Sequence, residues 1–301
     1  MTGLAAARPA GWAAPRLRAL LTCFNRVDKT LACLAALQVS ATAAGVELSA
    51  VLVDDGSSDG TAAAVRERFP WVRVEEHRGA PLFWCRGMHR AMELGLEGRP
   101  DFLLLLNDDT MLYPSAIVGM LGCLPPPASS VLALVVGSTQ DGVTGRHSYG
   151  GERPRSPARP LSFVLATPTD ECQTVDTFNG NVVLLPLAVL DRVGLLDPVF
   201  EHAMGDIDYG LRARDRGVRL ILAPGFQGAC SNNPIHGSFR DGSLPWSKRW
   251  KHLLGRKGLP WKSWLVLTHR HGGWRWPAYF VWPYVKVLLE GVRGLRRVRR
   301  A

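Results

Sequence analysis

Short apolar runs alternate with segments of helical spacing over the first third of the chain. This pattern predicts strands at 18–24, 48–53, 71–75 and 102–106, and helices at 28–43, 61–68 and 87–96. Runs that are apolar throughout are typical of strands buried on both faces of a sheet. We therefore expect an α/β fold, with a mostly parallel sheet covered by helices on both faces.

The middle of the chain is richer in Gly and Pro, which indicates loops and short strands. From there on the pattern predicts short strands near 131–137, a strand at 177–186, a helix at 187–193, a helix at 206–216 and a strand at 219–223. Residues 1–15 are expected to be a frayed leader, and residues 231–246 are expected to be irregular.

The composition indicates a folded protein with a large core. The chain has 301 residues, of which 47% are hydrophobic, and this excludes a disordered or low-complexity protein. Its 6 cysteines are scattered without a CxxC pair, so we expect reduced cysteines in a cytosolic protein. No charged start followed by an apolar core is present in residues 1–20, so no signal peptide is expected.

The formal net charge of +10 is unevenly distributed along the chain. Residues 239–301 hold fifteen basic and two acidic residues, a net charge of +13, which leaves −3 for residues 1–238. A nucleic-acid enzyme more often spreads basic groups over its working face, so nucleic acid is not an expected partner. We expect a catalytic domain over 16–238 and a basic, Trp-rich C-terminal extension over 239–301.

The C-terminal extension has the composition of a segment that binds an anionic membrane surface. Aromatic residues from Trp274 to Tyr284 precede a predicted amphipathic helix over 285–300, in which basic residues lie opposite an apolar face. Prolines and charged residues interrupt the apolar stretch, so a transmembrane helix is not expected. The expected location is peripheral, on the cytoplasmic face of the membrane. The alternative is a packed helix with a solvated basic face.

Paired acidic residues follow two of the predicted strands. Asp54 and Asp55 come after LSAVLV, and Asp108 and Asp109 come after FLLLLN. Ligands of open α/β sheets bind at the carboxyl ends of strands, where adjacent carboxylates need a cation or hydrogen-bond donors to offset their repulsion. The alternative is that each Asp caps the turn or helix that follows it.

Several other nucleotide and metal sites are excluded by spacing. The segment DDGSSDGT resembles the start of an EF-hand loop, but the twelfth position counted from Asp55 is Arg66, where calcium loops require Glu. The chain has no Walker A motif and no GxGxxG, which argues against a P-loop NTPase and a Rossmann dehydrogenase.

A third acidic segment, GDIDYGLR, predicts the start of a helix. There the helix dipole would stabilise an ionised Asp206, which could accept a proton from a substrate hydroxyl. The alternative is a helix cap with no further role. His269 and His271 have no carboxylate beside them in the sequence, and we expect them on a basic surface.

The order of LLTCFNR, VLVDDGSSDGT, LLLLNDDT, FNGNVVLLP and GDIDYGLRARDRG resembles the GT-A family 2 glycosyltransferases, most of all bacterial rhamnosyltransferase-type members. The resemblance covers residues 17–225. It implies a GT-A fold and the inverting transfer of a sugar from a nucleotide-diphosphate sugar to a hydroxyl of a glycan or lipid-linked acceptor. The implied cofactor is Mg²⁺ or Mn²⁺.

The resemblance also implies roles for individual residues. The expected nucleotide-sugar-binding residues are Thr22, Asn25, Asp54, Asp55, Asp108, Gly180 and Asn181, with Asn179 beside them. Asp109 is the expected principal metal ligand, together with Asn107 and His236. Asp206 matches the general base that deprotonates the acceptor hydroxyl.

The chain departs from the family pattern at two places. Gly205 stands where a Glu usually precedes the base, so part of the network that orients the acceptor is expected to be missing. The family's C-terminal His falls near Cys230, and we assign it to His236, six residues later.

Two other functions stay open at this point. One is a non-catalytic nucleotide-sugar-binding protein on the same fold. The other is a sugar nucleotidyltransferase, although the segment TCFNRVDKT lacks the Gly-rich loop that such enzymes favour. The donor sugar, the nucleobase, the acceptor and the oligomeric state do not follow from the sequence.

Overall fold

The computed structural model describes residues 14–126, 129–231, 238–239 and 241–298, and gives only the backbone for 291–298. The first half contains β1 (Arg16–Cys23), α1 (Val27–Ala44), β2 (Glu47–Asp54), α2 (Thr61–Arg68), β3 (Val72–Glu76), α3 (Phe83–Gly95), β4 (Phe102–Leu106), β5 (Met111–Leu112), α4 (Ala116–Gly122), β6 (Ala133–Gln140), β7 (His147–Tyr149) and β8 (Gly151–Pro154). The second half contains β9 (Phe163–Leu165), β10 (Gln173–Thr174), β11 (Thr177–Phe178), β12 (Val182–Pro186), α5 (Leu187–Val193), α6 (Gly205–Asp215), β13 (Arg219–Ala229), α7 (Trp246–Leu254), α8 (Trp261–His271), a 3₁₀ helix (Gly273–Arg275) and α9 (Trp276–Val298).

One large sheet forms the centre of the described structure. Its strand order is β10-β13-β6-β12-β4-β1-β2-β3, with β5 beside β13 and β7 beside β6. Strand β1 is parallel to β2 and β4, β2 is parallel to β3, and β6 is parallel to β13. Strand β12 runs antiparallel between β4 and β6. A second, small sheet has the order β11-β8-β9. The predicted α/β fold with a mostly parallel sheet is therefore confirmed.

Apolar side chains fill both faces of the large sheet. Successive strand residues point to opposite faces, so Leu20 of β1 packs in one core and Leu21 in the other. The first core is closed by α3, α5, α6 and α8, and the second by α1, α2 and α4. This two-sided burial is the reason why strands such as β4 lack polar residues.

The C-terminal extension packs onto the first core. Trp264 and Leu267 of α8 are buried there, and Trp264 Nε1 donates a 3.1 Å hydrogen bond to the carbonyl of Phe280 in α9.

The helices of the C-terminal extension differ from the predicted ones. Helices α7 and α8 are not among the predicted elements. Helix α9 begins at Trp276, before the predicted start at 285, and continues through Pro283. None of the described helices is long and apolar enough to cross a membrane.

Two predicted strands differ from the observed ones. The strand predicted at 177–186 is divided into β11 and β12, which belong to different sheets, and residues 179–181 form a loop between them. The strand predicted at 219–223 continues to Ala229, because pairing with β6 resumes after an irregularity between Leu222 and Phe226.

The expectation of six reduced cysteines is wrong. Cys123 and Cys172 form a disulfide, with their Cα atoms 6.2 Å apart. Cys123 follows α4 and Cys172 precedes β10, and both elements contact β13, which brings together residues that are 49 positions apart. The remaining cysteines are buried free thiols at positions Cys23, Cys33, Cys85 and Cys230.

Candidate active site

The predicted site residues lie along one edge of the large sheet. The parallel strands β1, β2 and β4 end side by side there, as the pairing of Cys23 with Asp54 shows. Strand β12 is antiparallel to β4 and therefore begins at the same edge. The backbone amide of Asn107 donates a 3.0 Å hydrogen bond to the carbonyl of Asn181. Residues that are far apart in the sequence thus meet at one place.

The carboxylates of Asp54 and Asp55 accept hydrogen bonds from backbone amides. Asp54 is buried and accepts from Ser57 at 2.8 Å. Asp55 accepts from Leu82 at 2.8 Å and from Phe83 at 2.9 Å, and so stabilises Phe83 at a φ of +58° where α3 begins. The capping alternative holds for Asp54, whereas Asp55 caps the distant start of α3 and not the turn or helix that follows it. Contact of either residue with a nucleotide stays a prediction.

Asn25 and Thr22 form the wall of the site at the end of β1. The side-chain carbonyl of Asn25 accepts a 2.8 Å hydrogen bond from the Ser58 amide, which connects β1 to the loop after β2. Thr22 is buried against α3, where a Cβ added to Gly87 would lie 2.4 Å from Thr22 Oγ1. Helix α3 therefore approaches β1 closely because position 87 is glycine.

The guanidinium of Arg26 forms ion pairs with both Asp108 and Asp109. Nη1 of Arg26 lies 3.0 Å from Asp108 Oδ1 and 2.8 Å from Asp109 Oδ2. Burial raises the pKa of Asp108 to about 6, although the charge of Arg26 opposes this. Arg26 is not among the predicted site residues. The sequence gives one indication of its role, because Arg26 is a basic residue that follows β1, and β1 lies between the two strands that end in acidic residues.

Asn107 and Cys230 complete the surroundings of Asp109. Trp84 Nε1 donates a 2.6 Å hydrogen bond to Asn107 Oδ1 and so orients its side chain. The Cys230 thiol lies 3.6 Å from Asp109 Oδ1, and burial raises the pKa of this thiol to about 11, which keeps it neutral. His236, the predicted metal ligand, lies outside the described residues.

The chemistry of the Asp108–Asp109 pair fits a hard divalent cation, because carboxylate oxygens are the ligands that Mg²⁺ prefers. The position of Arg26 Nη1 shows that one positive charge can contact both carboxylates at once. Within the described ranges, no group of three or more His, Cys, Asp or Glu side chains could hold a metal ion. A cation at this pair would therefore take further ligands from substrate phosphates and water.

Asp206 lies in the first turn of α6 with both carboxylate oxygens bonded. Oδ1 accepts a 2.9 Å hydrogen bond from the Ile207 amide, and Oδ2 accepts a 3.0 Å hydrogen bond from the Gly180 amide. Burial raises the pKa of this carboxyl, while the amide hydrogen bonds oppose the shift. A raised carboxyl pKa brings the group closer to the strength that a general base needs.

The sequence profile described as "Glycosyltransferase like family 2" matches residues 15–227 of this chain. The chain belongs to this glycosyltransferase family. It is 24% identical over 265 residues to the N-acetylglucosaminyl-diphospho-decaprenol L-rhamnosyltransferase of Mycobacterium tuberculosis, in strains CDC 1551 / Oshkosh and ATCC 25618 / H37Rv. That similarity covers 78% of this chain and 79% of the relative. The family prediction is therefore confirmed.

Solved glycosyltransferase structures share the fold. The mannosyltransferase PcManGT from Pyrobaculum calidifontis, in complex with GDP-Man and Mn²⁺, has a TM-score of 0.57 at 17% identity, with coverage of 96% of this chain and 76% of that protein. GalNAc-T7 with UDP, GalNAc and Mn²⁺ has a TM-score of 0.53 at 12% identity, with coverage of 79% and 47%. The GT-A fold prediction is thereby confirmed.

Packing leaves space only for glycine at position 205, where the resemblance led us to expect Glu. A Cβ added to Gly205 would lie 2.2 Å from Cys85 Sγ and 3.4 Å from Phe200 Cβ. The start of α6 is thus pressed against α3, and a side chain at position 205 has no space. The preceding residue, Met204, has a φ of +75° and marks the sharp turn into the helix.

Asp208 is the centre of a buried ion-pair cluster behind the site. Its Oδ2 accepts a 2.7 Å hydrogen bond from Arg212, and its Oδ1 lies 2.9 Å from Arg270 Nη1 and 3.0 Å from His271 Nε2. The prediction of a surface position for His271 is wrong, because its side chain is only 3% exposed and its carboxylate partner is distant in sequence. Burial raises the pKa of Asp208, but His271, Arg212 and Arg270 hold it below its usual range.

Proposed function

We propose that this enzyme transfers a sugar from a nucleotide-diphosphate sugar to a hydroxyl of a glycan or lipid-linked acceptor, with inversion at the anomeric carbon. The observation that carries the proposal is the position of Asp206. Its carboxylate is half-buried and bonded to Gly180, and the next residue, Asn181, accepts a hydrogen bond from Asn107 beside the acidic pair. A base and a cation-binding pair thus share one edge of the sheet.

Asp206 acts in this proposal as the general base. The amides of Gly180 and Ile207 fix the direction of the carboxylate, so its remaining lone pairs can face an acceptor hydroxyl. Proton transfer to Asp206 accompanies attack of the acceptor oxygen on the anomeric carbon, and the nucleoside diphosphate leaves from the opposite side. A single in-line displacement of this kind inverts the configuration.

Asp109 is proposed as the principal ligand of a divalent cation. Its side chain is 24% exposed, whereas Asp108 is buried behind it. Asn107 has one oxygen lone pair left after its hydrogen bond from Trp84. When bound, Mg²⁺ or Mn²⁺ would neutralise the charge that develops on the diphosphate leaving group. Both structural neighbours are complexes with Mn²⁺, which supports a divalent cation as cofactor.

Arg256 and Lys257 bring cationic groups of the C-terminal extension close to His202. Arg256 Nε lies 3.2 Å from Glu201, and its guanidinium stacks 4.0 Å above the Phe83 ring. Burial and the charges of Lys257, Arg26 and Arg256 lower the pKa of His202 to about 4. Arg26 and Arg256 are each paired with carboxylates, and in the proposal these cations would also attract the diphosphate of the donor.

We also propose that the C-terminal extension binds an anionic membrane surface on the cytoplasmic side. In the described part of the chain, eight of the thirteen exposed large apolar residues lie in this extension: Trp246, Leu254, Trp261, Trp274, Val281, Trp282, Leu288 and Leu289. A lipid-linked acceptor, as the name of the mycobacterial relative indicates for that protein, fits such a location. The Cys123–Cys172 disulfide removes the cysteine argument for a reducing compartment, so the location rests on the extension alone.

The proposal is tested by incubating the full chain with UDP-, GDP- and dTDP-sugars, Mn²⁺ and polyprenyl-diphosphate-linked acceptors. Acceptor-dependent release of a nucleoside diphosphate, with an inverted linkage in the product by NMR, is the expected result. Donor binding without any release would indicate a non-catalytic nucleotide-sugar-binding protein. Release of inorganic pyrophosphate from a nucleoside triphosphate and a sugar phosphate would indicate a nucleotidyltransferase.

A further inference from the structure

Arg26 holds both members of the acidic pair with one nitrogen atom. Nη1 lies within 3.0 Å of a carboxylate oxygen from Asp108 and of one from Asp109. Repulsion between these neighbouring carboxylates is offset by this guanidinium. The proposed function offers the same acidic pair, with Asp109 as the principal ligand, to a divalent cation.

The backbone of Arg26 is fixed while its side chain extends into solvent. Arg26 is the N-cap residue of α1, and its carbonyl accepts a 2.9 Å hydrogen bond from the Thr30 amide. The neighbouring Val27 amide donates a 3.0 Å hydrogen bond to Asp59. The Arg26 side chain itself is 45% exposed. Its guanidinium can therefore move without disturbing the end of β1.

The two ion pairs of Arg26 differ in how far their carboxylates are exposed to solvent. Asp109 is 24% exposed, so water screens its ion pair with Arg26 and weakens it. Asp108 is only 7% exposed and also accepts a 3.4 Å hydrogen bond from Thr30, so its contact is better protected. A small divalent ion at about 2.1 Å from the Asp109 oxygen would occupy the space next to Nη1, where two cations repel each other.

We propose that Arg26 is an exchangeable counter-ion of the metal site. The guanidinium neutralises Asp108 and Asp109 before the divalent cation binds, and it leaves Asp109 when the cation arrives. The inference rests on the proposed metal dependence of the enzyme. Arg26 therefore competes with the metal ion for Asp109, and its positive charge lowers the affinity of the site for the metal.

The test measures Mn²⁺ binding to the full-length protein at pH 8, from the electron paramagnetic resonance signal of free Mn²⁺. Arg26→Gln removes the competing charge and is expected to bind Mn²⁺ about three- to tenfold more tightly than the wild type. Arg66→Gln is the matched control, because Arg66 is 48% exposed and pairs with Glu76 at the end of the edge strand β3, three strands away from β4 and its acidic pair. This control is expected to keep the wild-type affinity.

Equal or weaker Mn²⁺ binding by folded Arg26→Gln overturns the inference. If wild type and variant both fail to bind Mn²⁺, the proposed metal dependence is wrong as well, so the two failures are distinguishable.

A second experiment measures the wild-type protein and therefore does not depend on the folding of Arg26→Gln. In protein labelled with ¹⁵N-arginine, added Mg²⁺ is expected to shift the Arg26 guanidinium signal, assigned with Arg26→Lys, and to leave that of Arg66 in place. An unmoved Arg26 signal at saturating Mg²⁺ contradicts the exchange.

Discussion

The backbone amide of Gly180 donates a 3.0 Å hydrogen bond to Oδ2 of Asp206. This contact joins the loop between β11 and β12 to the first turn of α6. A Cβ added to Gly180 would lie 2.5 Å from the Trp84 ring and 3.4 Å from Asp206 Cβ, so the approach depends on glycine. The orientation of the proposed base is therefore set by a close backbone contact.

Gly180→Ala is expected to lower turnover by about 100-fold, because a displacement of roughly 1 Å at a reacting group can cost that much. The collision with Trp84 should also lower the free energy of unfolding by about 1–3 kcal/mol. Steady-state kinetics and urea unfolding measure the two effects. The control is Gly122→Ala, since a Cβ at position 122 would have nothing within 4 Å. Wild-type turnover in Gly180→Ala would show that this contact does not orient the base.

Gly205→Ala should destabilise the protein by about 1–3 kcal/mol, because the added Cβ would lie 2.2 Å from Cys85 Sγ. Cys85→Ala removes that sulfur, so the double variant is expected to regain part of the lost free energy of unfolding. Urea unfolding of the two single variants and the double variant gives the coupling energy. Strictly additive effects of the two substitutions would contradict a direct collision.

Asp208→Asn is expected to lower the free energy of unfolding by about 3 kcal/mol at neutral pH, since it removes the anion from a buried ion-pair cluster. The folded-state pKa of Asp208 lies below its usual range, so its stabilising effect is complete above the unfolded pKa of about 4. It is lost as the pH falls through the lower folded-state value. The difference in unfolding free energy between wild type and variant should therefore shrink below pH 4. A constant difference would rule out this ionisation as its source.

Trp274 and Trp282, which are 83% and 60% exposed, are expected to insert at the lipid interface. Replacing both with Ala should reduce binding to anionic vesicles in a sedimentation assay by about tenfold or more. Val143→Ala is the control, because Val143 is 92% exposed outside the extension. Substitutions are preferable to truncation, since removal of α9 would also break the Trp264–Phe280 hydrogen bond. Unchanged vesicle binding by the double variant would argue for a solvated extension.

Elements with a continuous local pattern could be predicted from the sequence. The helix at 61–68 and the strand at 102–106 have their predicted bounds, because each depends on its own spacing of apolar residues. The α7 and α8 helices were missed because their apolar residues, such as Trp264, are spaced among many basic ones. The strand predicted at 177–186 is divided because β11 and β12 pair with distant strands in different sheets, which no local pattern contains.

The site residues also differ in whether their positions could be predicted from the local sequence. The acidic strand ends were predictable, because parallel strands end at a common edge. The roles of Arg26 and Trp84 depend on contacts with residues more than twenty positions away. The burial of His271 against Asp208 and the Cys123–Cys172 disulfide likewise follow from the tertiary arrangement. Residue type alone indicates none of these pairs.

Asp206 is the proposed base of the glycosyl transfer, and its replacement tests that role. The most direct measurement is the rate of acceptor-dependent nucleoside diphosphate release by Asp206→Asn, with the donor and acceptor that the wild type uses. Asn keeps the shape of the side chain and cannot take the proton, so we predict a loss of about 10²–10⁴-fold in turnover with donor binding retained. Turnover within a few fold of the wild type would show that Asp206 is not the base.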